Sequence, residues 1–219
     1  EFYALGVGEV VPISAGKRLG IGDLLDKIYD SFDNIDPQIE DNETIKVAII
    51  GKQNAGKSSL VNKILGEERV IVSDIAGTTR DAIDSFLKNK YGKYVFIDTA
   101  GIRRKSKVYD ELEKYSIIKA KAAIDRANVC LIMIDATEGV TEQDEKIAGL
   151  AHEAGKGVII VINKWDLVEK QTNTMSEYKK KVYQKLAYLD YAPIIFISAV
   201  TGKRVDNIFE KINQVDKQN

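Results

Sequence analysis

The sequence has few of the residue types on which several kinds of scaffold and site depend. Cys130 is the only cysteine, which excludes an internal disulfide and fits a reducing compartment. His152 is the only histidine, so a zinc site built from several imidazoles is excluded. No uninterrupted apolar stretch is long enough to span a bilayer, and no signal peptide is visible at the start. The formal net charge of −1 gives no overall positive field that would attract a nucleic acid.

What is present is the composition of a folded domain, with 44% hydrophobic and 30% charged residues in 219. From residue 45 onward, short β-branched runs alternate with helical patterns, which predicts an α/β fold with a doubly wound, mostly parallel sheet. The turn at Tyr91-Gly92-Lys93 predicts a hairpin and therefore one antiparallel edge strand. Cys130 falls inside an apolar run and is expected to be a packed, unreactive thiol. The predicted strands are 45–50, 82–89, 94–98, 129–135, 158–163 and 194–198, and the predicted helices are 57–65, 113–124, 142–154, 175–185 and 205–215.

The first 44 residues have a different character. Residues 34–44 are polar, acidic and interrupted by Pro37, which indicates a linker. Before them, residues 11–15 predict one strand and residues 21–32 one amphipathic helix, too little for a stable domain. Residues 11–28 align without a gap to residues 195–212, with five identical pairs. The chain is therefore expected to be a truncated tandem, with a remnant at 1–33, a linker at 34–44 and a complete domain at 45–219.

A phosphate-binding loop follows the first strand of the complete domain. The pattern G-x-x-x-x-G-K-[ST] lies between an apolar strand and a predicted helix, the context that the loop of P-loop NTPases requires. Lys57 is expected to reach the β- and γ-phosphates, and the Ser58 hydroxyl to bind Mg²⁺. A purely structural glycine turn would not need Lys-Ser after its second glycine. The loop consists of Gly51, Lys52, Gln53, Asn54, Ala55, Gly56, Lys57 and Ser58, and Ser59 adjoins it.

Two further segments predict γ-phosphate sensing. In Asp98-Thr99-Ala100-Gly101, which ends a strand, the carboxylate can hold Mg²⁺ through its water shell and the Gly101 N–H can reach the γ-phosphate. The neighbouring residue, Ile102, is expected to line the same site. Residues 77–81 contain Thr78 and Thr79, and Thr79 is the favoured second Mg²⁺ ligand. The alternative for residues 77–81 is an ordinary polar turn.

Two boxes predict guanine as the base. In Asn163-Lys164-Trp165-Asp166 the Asp166 carboxylate can accept from both N1–H and N2–H₂ of guanine. Asn163 can tie this loop to the phosphate loop, and the stem of Lys164 can cover the base. In Ser198-Ala199-Val200, the Ala199 N–H can donate to guanine O6. An ATPase with the same phosphate loop would not explain these two boxes.

Together the boxes resemble the EngA/Der family of tandem GTPases. The resemblance extends over about residues 1–215 and is carried by residues 68–81, 98–105, 135–144 and 163–168. It implies a bacterial cytoplasmic GTPase that acts in assembly of the large ribosomal subunit and contacts its RNA. It also implies that residues 1–33 end a first GTPase domain and that a KH-like domain follows in the parent protein. The family's usual Arg-Pro-Asn-Val is here Lys52-Gln53-Asn54-Ala55, a change that removes no catalytic group.

The resemblance also implies how water is activated. Ile102 stands where many small GTPases carry a glutamine that orients the attacking water, so intrinsic hydrolysis should be slow. Related GTPases use a potassium ion held by the phosphate-loop asparagine, here Asn54, and a carboxylate for which Glu113 is favoured over Glu111. The basic run 103–107 is either a solvated switch segment or a contact for RNA, and Lys179-Lys180-Lys181 is expected to be a solvated helix face.

Three functions therefore remain in competition. The first is a GTP-hydrolysing switch that uses Mg²⁺ and K⁺ and acts on the ribosome. The second is a nucleotide-dependent interaction module with negligible turnover by itself, which Ile102 favours. The third, a potassium-dependent metabolic kinase, lacks an identifiable second substrate pocket.

Overall fold

The computed structural model describes residues 12–14, 16–17, 19–32, 43–67, 84–99, 102 and 113–218. The chain divides into two units, residues 1–42 and residues 43–219. The division between them falls inside the segment 34–44 that the sequence predicts to be a linker. Within the described ranges, no helix combines the length and the apolar character needed to cross a bilayer.

The second unit is built on a six-stranded sheet in the order β2-β3-β1-β4-β5-β6. Only β2 and β3 pair antiparallel, while β1 pairs parallel with both β3 and β4. The predicted fold class, a doubly wound and mostly parallel sheet with one antiparallel edge strand, is therefore confirmed. The strands are β1 (Thr44–Ile50), β2 (Ser85–Asn89), β3 (Gly92–Ile97), β4 (Val129–Asp135), β5 (Gly157–Asn163) and β6 (Ile194–Phe196).

Helices cover both faces of this sheet, because alternate residues of the inner strands supply two separate cores. Ala48 and Ile50 of β1 pack on one face, in a cluster with the helices at residues 113–126, 142–153 and 174–185. Val47 and Ile49 pack on the opposite face, in a cluster with the helices at residues 57–67 and 207–216. Every residue of β4 and β5 is buried, as expected for central parallel strands. The helices of this unit are α2 (Lys57–Glu67), α3 (Glu113–Arg126), α4 (Glu142–Glu153), α5 (Thr174–Lys185) and α6 (Asn207–Asp216).

Two predicted boundaries near the end of the chain are wrong. Strand β6 stops at Phe196 instead of residue 198, because the Ser198 N–H donates to Lys203 O at 3.1 Å and closes a turn. Helix α6 begins at Asn207 instead of residue 205, since residues 202–206 form the turns that lead into it. Both errors arise where apolar periodicity continues beyond the hydrogen-bonded element.

Cys130 lies in the middle of β4 with no exposed surface, which confirms the prediction of a packed thiol. Burial raises the pKa of the Cys130 thiol to about 12, and the charge of Lys156 only partly opposes that effect. Because the thiolate is the reactive form, this cysteine is inert at neutral pH.

The first unit contains helix α1 (Ile21–Phe32), with the predicted bounds. The strand predicted at 11–15 is wrong for the residues that the structure describes. Ser14 makes an isolated antiparallel bridge to Leu19 across the turn at Gly16 and Lys17, while Pro12 and Ile13 have no strand structure. Proline cannot donate to a ladder, and this short turn brings no second strand alongside. Leu25 of α1 is 59% exposed.

The β2–β3 hairpin is anchored to the last helix of the second unit. Tyr94 donates its hydroxyl to Asn213 Oδ1 at 2.9 Å, and Asn213 Nδ2 donates to Tyr91 O at 2.8 Å. Next to these hydrogen bonds, the centroid of the Phe209 ring lies 5.1 Å from the ring centroid of Tyr94 and 5.7 Å from that of Tyr91. One amide thus fastens the edge of the sheet to α6.

Replacing Asn213 should therefore loosen this edge. We expect Asn213→Ala to lower the free energy of unfolding by about 1–3 kcal/mol, since both hydrogen bonds are lost and the buried Tyr94 hydroxyl loses this acceptor. Urea unfolding followed by circular dichroism measures the change. The adjacent Gln214 is exposed, so Gln214→Ala is the control and should stay within about 0.5 kcal/mol of wild type. Equal stability of the two variants would contradict the anchoring role.

Candidate nucleotide site

Those predicted site residues that the structure describes meet at the carboxyl edge of the sheet, where β1, β3, β5 and β6 end. Ligands of doubly wound sheets bind at this edge, next to the point where the strand order reverses. Among the described residues, Asn54, Asp98, Lys164 and Arg204 are the non-glycines with a left-handed backbone. Three of the four lie directly in the predicted boxes. Because such strain collects at functional sites, its distribution supports this edge as the site.

The two glycines of the phosphate loop lie so close to neighbouring residues that a larger side chain cannot be accommodated at either position. Gly51 has φ +146°, and a Cβ there would lie 2.5 Å from Met133 O. Gly56 has φ +96°, and a Cβ there would lie 2.0 Å from Asn163 Nδ2. The loop ends in α2, whose first residue, Lys57, donates its ammonium to Gly51 O at 2.7 Å and Lys52 O at 2.5 Å. The loop is thus curled around the lysine side chain at a helix N-terminus.

Asn163, the last residue of β5, joins the predicted base boxes to the phosphate loop. Its Nδ2 donates to Ala55 O at 2.9 Å, which confirms the predicted tie. Its Oδ1 accepts from the Ala199 N–H, also at 2.9 Å. The Ala199 N–H, expected to face guanine O6, is therefore engaged with Asn163 here and would have to share that bond with a base.

The next box residue, Lys164, extends toward β4. Lys164 Nζ donates to Asp135 Oδ2 at 2.5 Å, while Asp135 Oδ1 accepts from the Thr137 hydroxyl and N–H at 2.7 and 2.9 Å. Burial of Asp135 favours its neutral form, but the bonds from Lys164 and Thr137 together hold the pKa of its carboxyl below the ordinary value. The carboxylate is therefore charged at neutral pH and fixes the Lys164 stem over the edge of the sheet.

The Asp98 segment meets the start of α2. The Ser58 hydroxyl donates to Ile102 O at 2.8 Å, so the predicted Mg²⁺ ligand contacts the predicted sensing loop. The Asp98 N–H donates to Asp84 Oδ1 at 2.9 Å, and Asp84 Oδ2 accepts from Arg126. Behind them the buried hydroxyls of Ser85 and Thr99 lie 2.6 Å apart.

The remaining predicted residues divide into two groups. The side chains of Gln53, Asn54, Ser59, Asp166 and Val200 are exposed around this edge, where a ligand can reach them. Thr78, Thr79, Ala100, Gly101, Glu111 and the run 103–107 lie outside the described residues. Glu113 begins helix α3, as predicted, but its side chain also lies outside the described part.

Sequence reasoning missed four acidic residues that organise the site from behind. They contact the phosphate loop, the Lys164 stem or the Asp98 backbone, and they are Asp84, Asp135, Glu138 and Asp144. Asp135 could have been found, because a carboxylate at the buried end of a central strand requires a cation. The other three depend on how loops return to the edge, which no local pattern encodes.

Comparison with known proteins places the chain among GTPases. The chain is 63% identical over 218 residues to GTPase Der of Acetivibrio thermocellus and 58% identical over 219 residues to GTPase Der of Alkaliphilus oremlandii. Each alignment covers 100% of this chain but 50% of the relative, so the chain spans about half the length of these curated relatives. The crystal structure of Era in complex with MgGDPNP and nucleotides 1506–1542 of 16S ribosomal RNA matches with a TM-score of 0.60. The two sequences are 31% identical, and the match covers 79% of this chain and 57% of the Era chain.

The sheet order, the phosphate loop and these neighbours define a P-loop GTPase domain. More particularly, residues 46–164 match the family of 50S ribosome-binding GTPases, and the chain belongs to that family. The resemblance to EngA/Der that the boxes carry is confirmed by the relatives named GTPase Der.

The contact between Gly56 and Asn163 can be tested directly. We expect Gly56→Ala to destabilise the fold by roughly 1–3 kcal/mol, because the new Cβ displaces the Asn163 amide and adopts a disfavoured φ. The control is Gly66→Ala in α2, where a Cβ would meet nothing within 4 Å. Thermal unfolding measures the stability of both variants. The control should be neutral or more stable by about 0.5–1 kcal/mol, as alanine favours a helix. Equal behaviour of the two would contradict the close approach.

Proposed function

We propose that residues 45–219 bind GTP and GDP and hydrolyse GTP to GDP and phosphate as a conformational switch. The observation that carries the proposal is the Asn163 side chain, which hydrogen-bonds both Ala55 O and the Ala199 N–H. Through it the phosphate loop and the two guanine boxes share one edge of the sheet, at a spacing set by β5. Membership of a GTPase family and the likeness to GTPase Der support the same function.

Phosphate and Mg²⁺ recognition falls to the start of α2 and its surroundings. Lys57 supplies a positive charge for the β- and γ-phosphates, and the helix N-terminus adds to it. Ser58 and Asp98 offer the hard oxygen atoms that Mg²⁺ prefers, and they lie at the ends of neighbouring segments of this edge. Thr79 is the proposed further ligand in the GTP state, and Gly101 the proposed γ-phosphate donor. When bound, Mg²⁺ neutralises charge on the phosphate oxygens.

Base selection is assigned to Asp166, whose exposed carboxylate follows the left-handed Lys164. A carboxylate accepts from two neighbouring donors, which guanine presents and adenine does not. The stem of Lys164, fixed by its bond to Asp135, would cover the base.

The hydrolytic step is proposed to use a monovalent cation. Asn54 is exposed in the phosphate loop, where its side-chain oxygen can hold K⁺ beside the β- and γ-phosphates. Glu113 is the proposed group that orients water, because Ile102 has no polar side chain. Ile102 is partly buried and packs against the core. Its apolar side chain cannot orient a water molecule, which favours slow intrinsic turnover.

The biological role proposed here is that of the longer relatives. This domain would act in assembly of the large ribosomal subunit in the cytoplasm, and the basic run 103–107 would be one candidate contact for ribosomal RNA. Residues 1–33 would end a first GTPase domain, and a KH-like domain would follow in the parent protein. The apolar side chain of Ile102 also favours the alternative of a nucleotide-dependent interaction module. Phosphate release, measured with and without potassium and ribosomal subunits, separates the two: turnover that none of these raises would support the module.

The assignment of Asp166 predicts a change of base. Asp166→Asn should weaken GTP binding roughly 100-fold or more and should strengthen binding of xanthosine triphosphate, because the amide donates where the carboxylate accepts. Competition binding with a fluorescent nucleotide measures both affinities. Asp190→Asn is the matched control on the exposed surface before β6 and should bind GTP like wild type. Unaltered GTP affinity in Asp166→Asn would remove Asp166 from base recognition.

The assignment of Asn54 predicts a salt effect. GTP turnover should be at least about tenfold faster in potassium than in sodium at equal ionic strength, as a fitting cation offsets charge that develops during hydrolysis. The control is Asn54→Gly, which tolerates the left-handed backbone but lacks the side-chain oxygen, and its turnover should lose this preference. A preference that survives in Asn54→Gly would assign the cation to another ligand.

A further inference from the structure

Lys52, the second residue of the phosphate loop, is 6% exposed. A buried ammonium needs anionic partners, and Lys52 Nζ lies 2.6 Å from Glu138 Oε2 and 4.0 Å from Asp144 Oδ2. Both carboxylates come from the segment that connects β4 to α4 and begins α4, more than 80 residues away in sequence. This long side chain is therefore held by the segment that follows β4.

The acidic partner of Lys52 is itself held firmly. Asp144 has no exposed surface, and its Oδ2 accepts from the Thr141 N–H at 3.0 Å and from the Thr141 hydroxyl at 2.7 Å. The bond from the Thr141 N–H and the reciprocal bond from the Asp144 N–H to Thr141 Oγ1, at 3.4 Å, form the capping box that begins α4. The other oxygen, Oδ1, is buried and has no hydrogen-bond partner. A buried, incompletely satisfied carboxylate makes a nearby cation electrostatically important.

The opposite end of the same residue reaches the phosphate-binding lysine. Lys52 O accepts from Lys57 Nζ at 2.5 Å, next to the 2.7 Å bond from Lys57 Nζ to Gly51 O. Lys52 thus links charges of opposite sign: its ammonium contacts the carboxylates of Glu138 and Asp144, and its carbonyl accepts from the ammonium of Lys57.

We propose that Lys52 is a positioning residue for phosphate binding. Glu138 and Asp144 hold its side chain, and this anchorage fixes the carbonyls that direct Lys57 toward the phosphates. The inference rests on the proposed binding of GTP and GDP and adds a support that the boxes do not contain. Because Asp144 lies in the first turn of α4, which begins at Glu142, the position of the phosphate loop is tied to the start of this helix.

The proposal has a specific energetic basis. Without the ammonium, the buried Asp144 carboxylate loses its neighbouring cation, and the backbone of residue 52 loses its attachment to the segment behind it. The carbonyl would then move relative to Lys57, and displacements of about an ångström in a positioned group lower efficiency by up to roughly 100-fold. An arginine keeps the charge and reaches both carboxylates, whereas a glutamine does not keep the charge.

The test compares the nucleotide affinities of four full-length chains. A fluorescent GDP analogue measures the dissociation constant, and steady-state turnover separates kcat from KM. We expect Lys52→Gln to weaken GDP binding roughly 10- to 100-fold and Lys52→Arg to bind close to wild type. Lys156→Gln is the control, because Lys156 contacts a backbone carbonyl at the amino-terminal edge of the sheet and should bind normally. A role only in folding would lower the melting temperature and the active fraction without changing the dissociation constant of the folded protein.

Glu138→Gln keeps the test decisive if Lys52→Gln folds poorly, since Glu138 is 56% exposed and tolerates replacement. It should weaken GDP binding in the same direction but less, and its effect should be less than additive with Lys52→Gln. Tighter binding in Glu138→Gln would overturn the proposal, as it would mean that the freed ammonium contacts phosphate directly. Wild-type affinity in Lys52→Gln would also overturn it. If the wild-type chain binds neither GDP nor GTP, the proposed function itself fails instead.

Discussion

The buried amide of Asn163 is the interaction on which the arrangement of the nucleotide edge depends. It is 2% exposed, and it uses its donor on Ala55 O and its acceptor on the Ala199 N–H. Since it ends a strand paired along its whole length with β4, its position is set by the sheet and not by the loops. The loops adapt to it: Gly56 carries no side chain at the point where the amide lies. A buried amide satisfied in this way specifies a single geometry.

The same edge contains backbone strain that the rest of the domain must hold. Asn54, Asp98 and Lys164 each follow a strand closely and have φ near +60°. Such residues cost on the order of 1–3 kcal/mol each. They persist because β1, β3 and β5 lie between two packed cores and cannot shift to relieve them. The rigid sheet therefore determines where the loops turn, and the turns aim side chains and N–H groups toward the edge.

Much of this could be predicted from the sequence, for identifiable reasons. Apolar runs with helical patterns between them define the parallel strands, and the phosphate-loop pattern carries its own confirming context, so the sheet and the boxes could be placed. A tie from Asn163 to the phosphate loop is predicted from the base box, whereas its partner atom, Ala55 O, is known only from the structure. The roles of Glu138 and Asp144 were not predictable, since they depend on a loop that returns over 80 residues later. Of the strand expected at residues 11–15, the described residues 12–14 form only an isolated bridge at Ser14, because local sequence does not encode which segment pairs with it.

Charge at the back of the site ties these features together. The segment from Asp135 to Asp144 neutralises Lys164 on one side and Lys52 on the other, so one loop holds both the base box and the phosphate loop. The pKa of Asp135 is lowered in the fold, so its contribution to stability is present above its ordinary pKa of 3.8 and is lost only as the pH falls below that value. At neutral pH the carboxylate behind Lys164 is therefore constant. The Ser58 hydroxyl donates its proton to Ile102 O, and its oxygen keeps lone pairs that can coordinate a cation. It could therefore bind a cation while it stays hydrogen-bonded to the predicted sensing loop. Fixed charges from Asp135 and Glu138 on one side and the Ser58 hydroxyl on the other thus surround the residues to which the sequence assigns nucleotide binding.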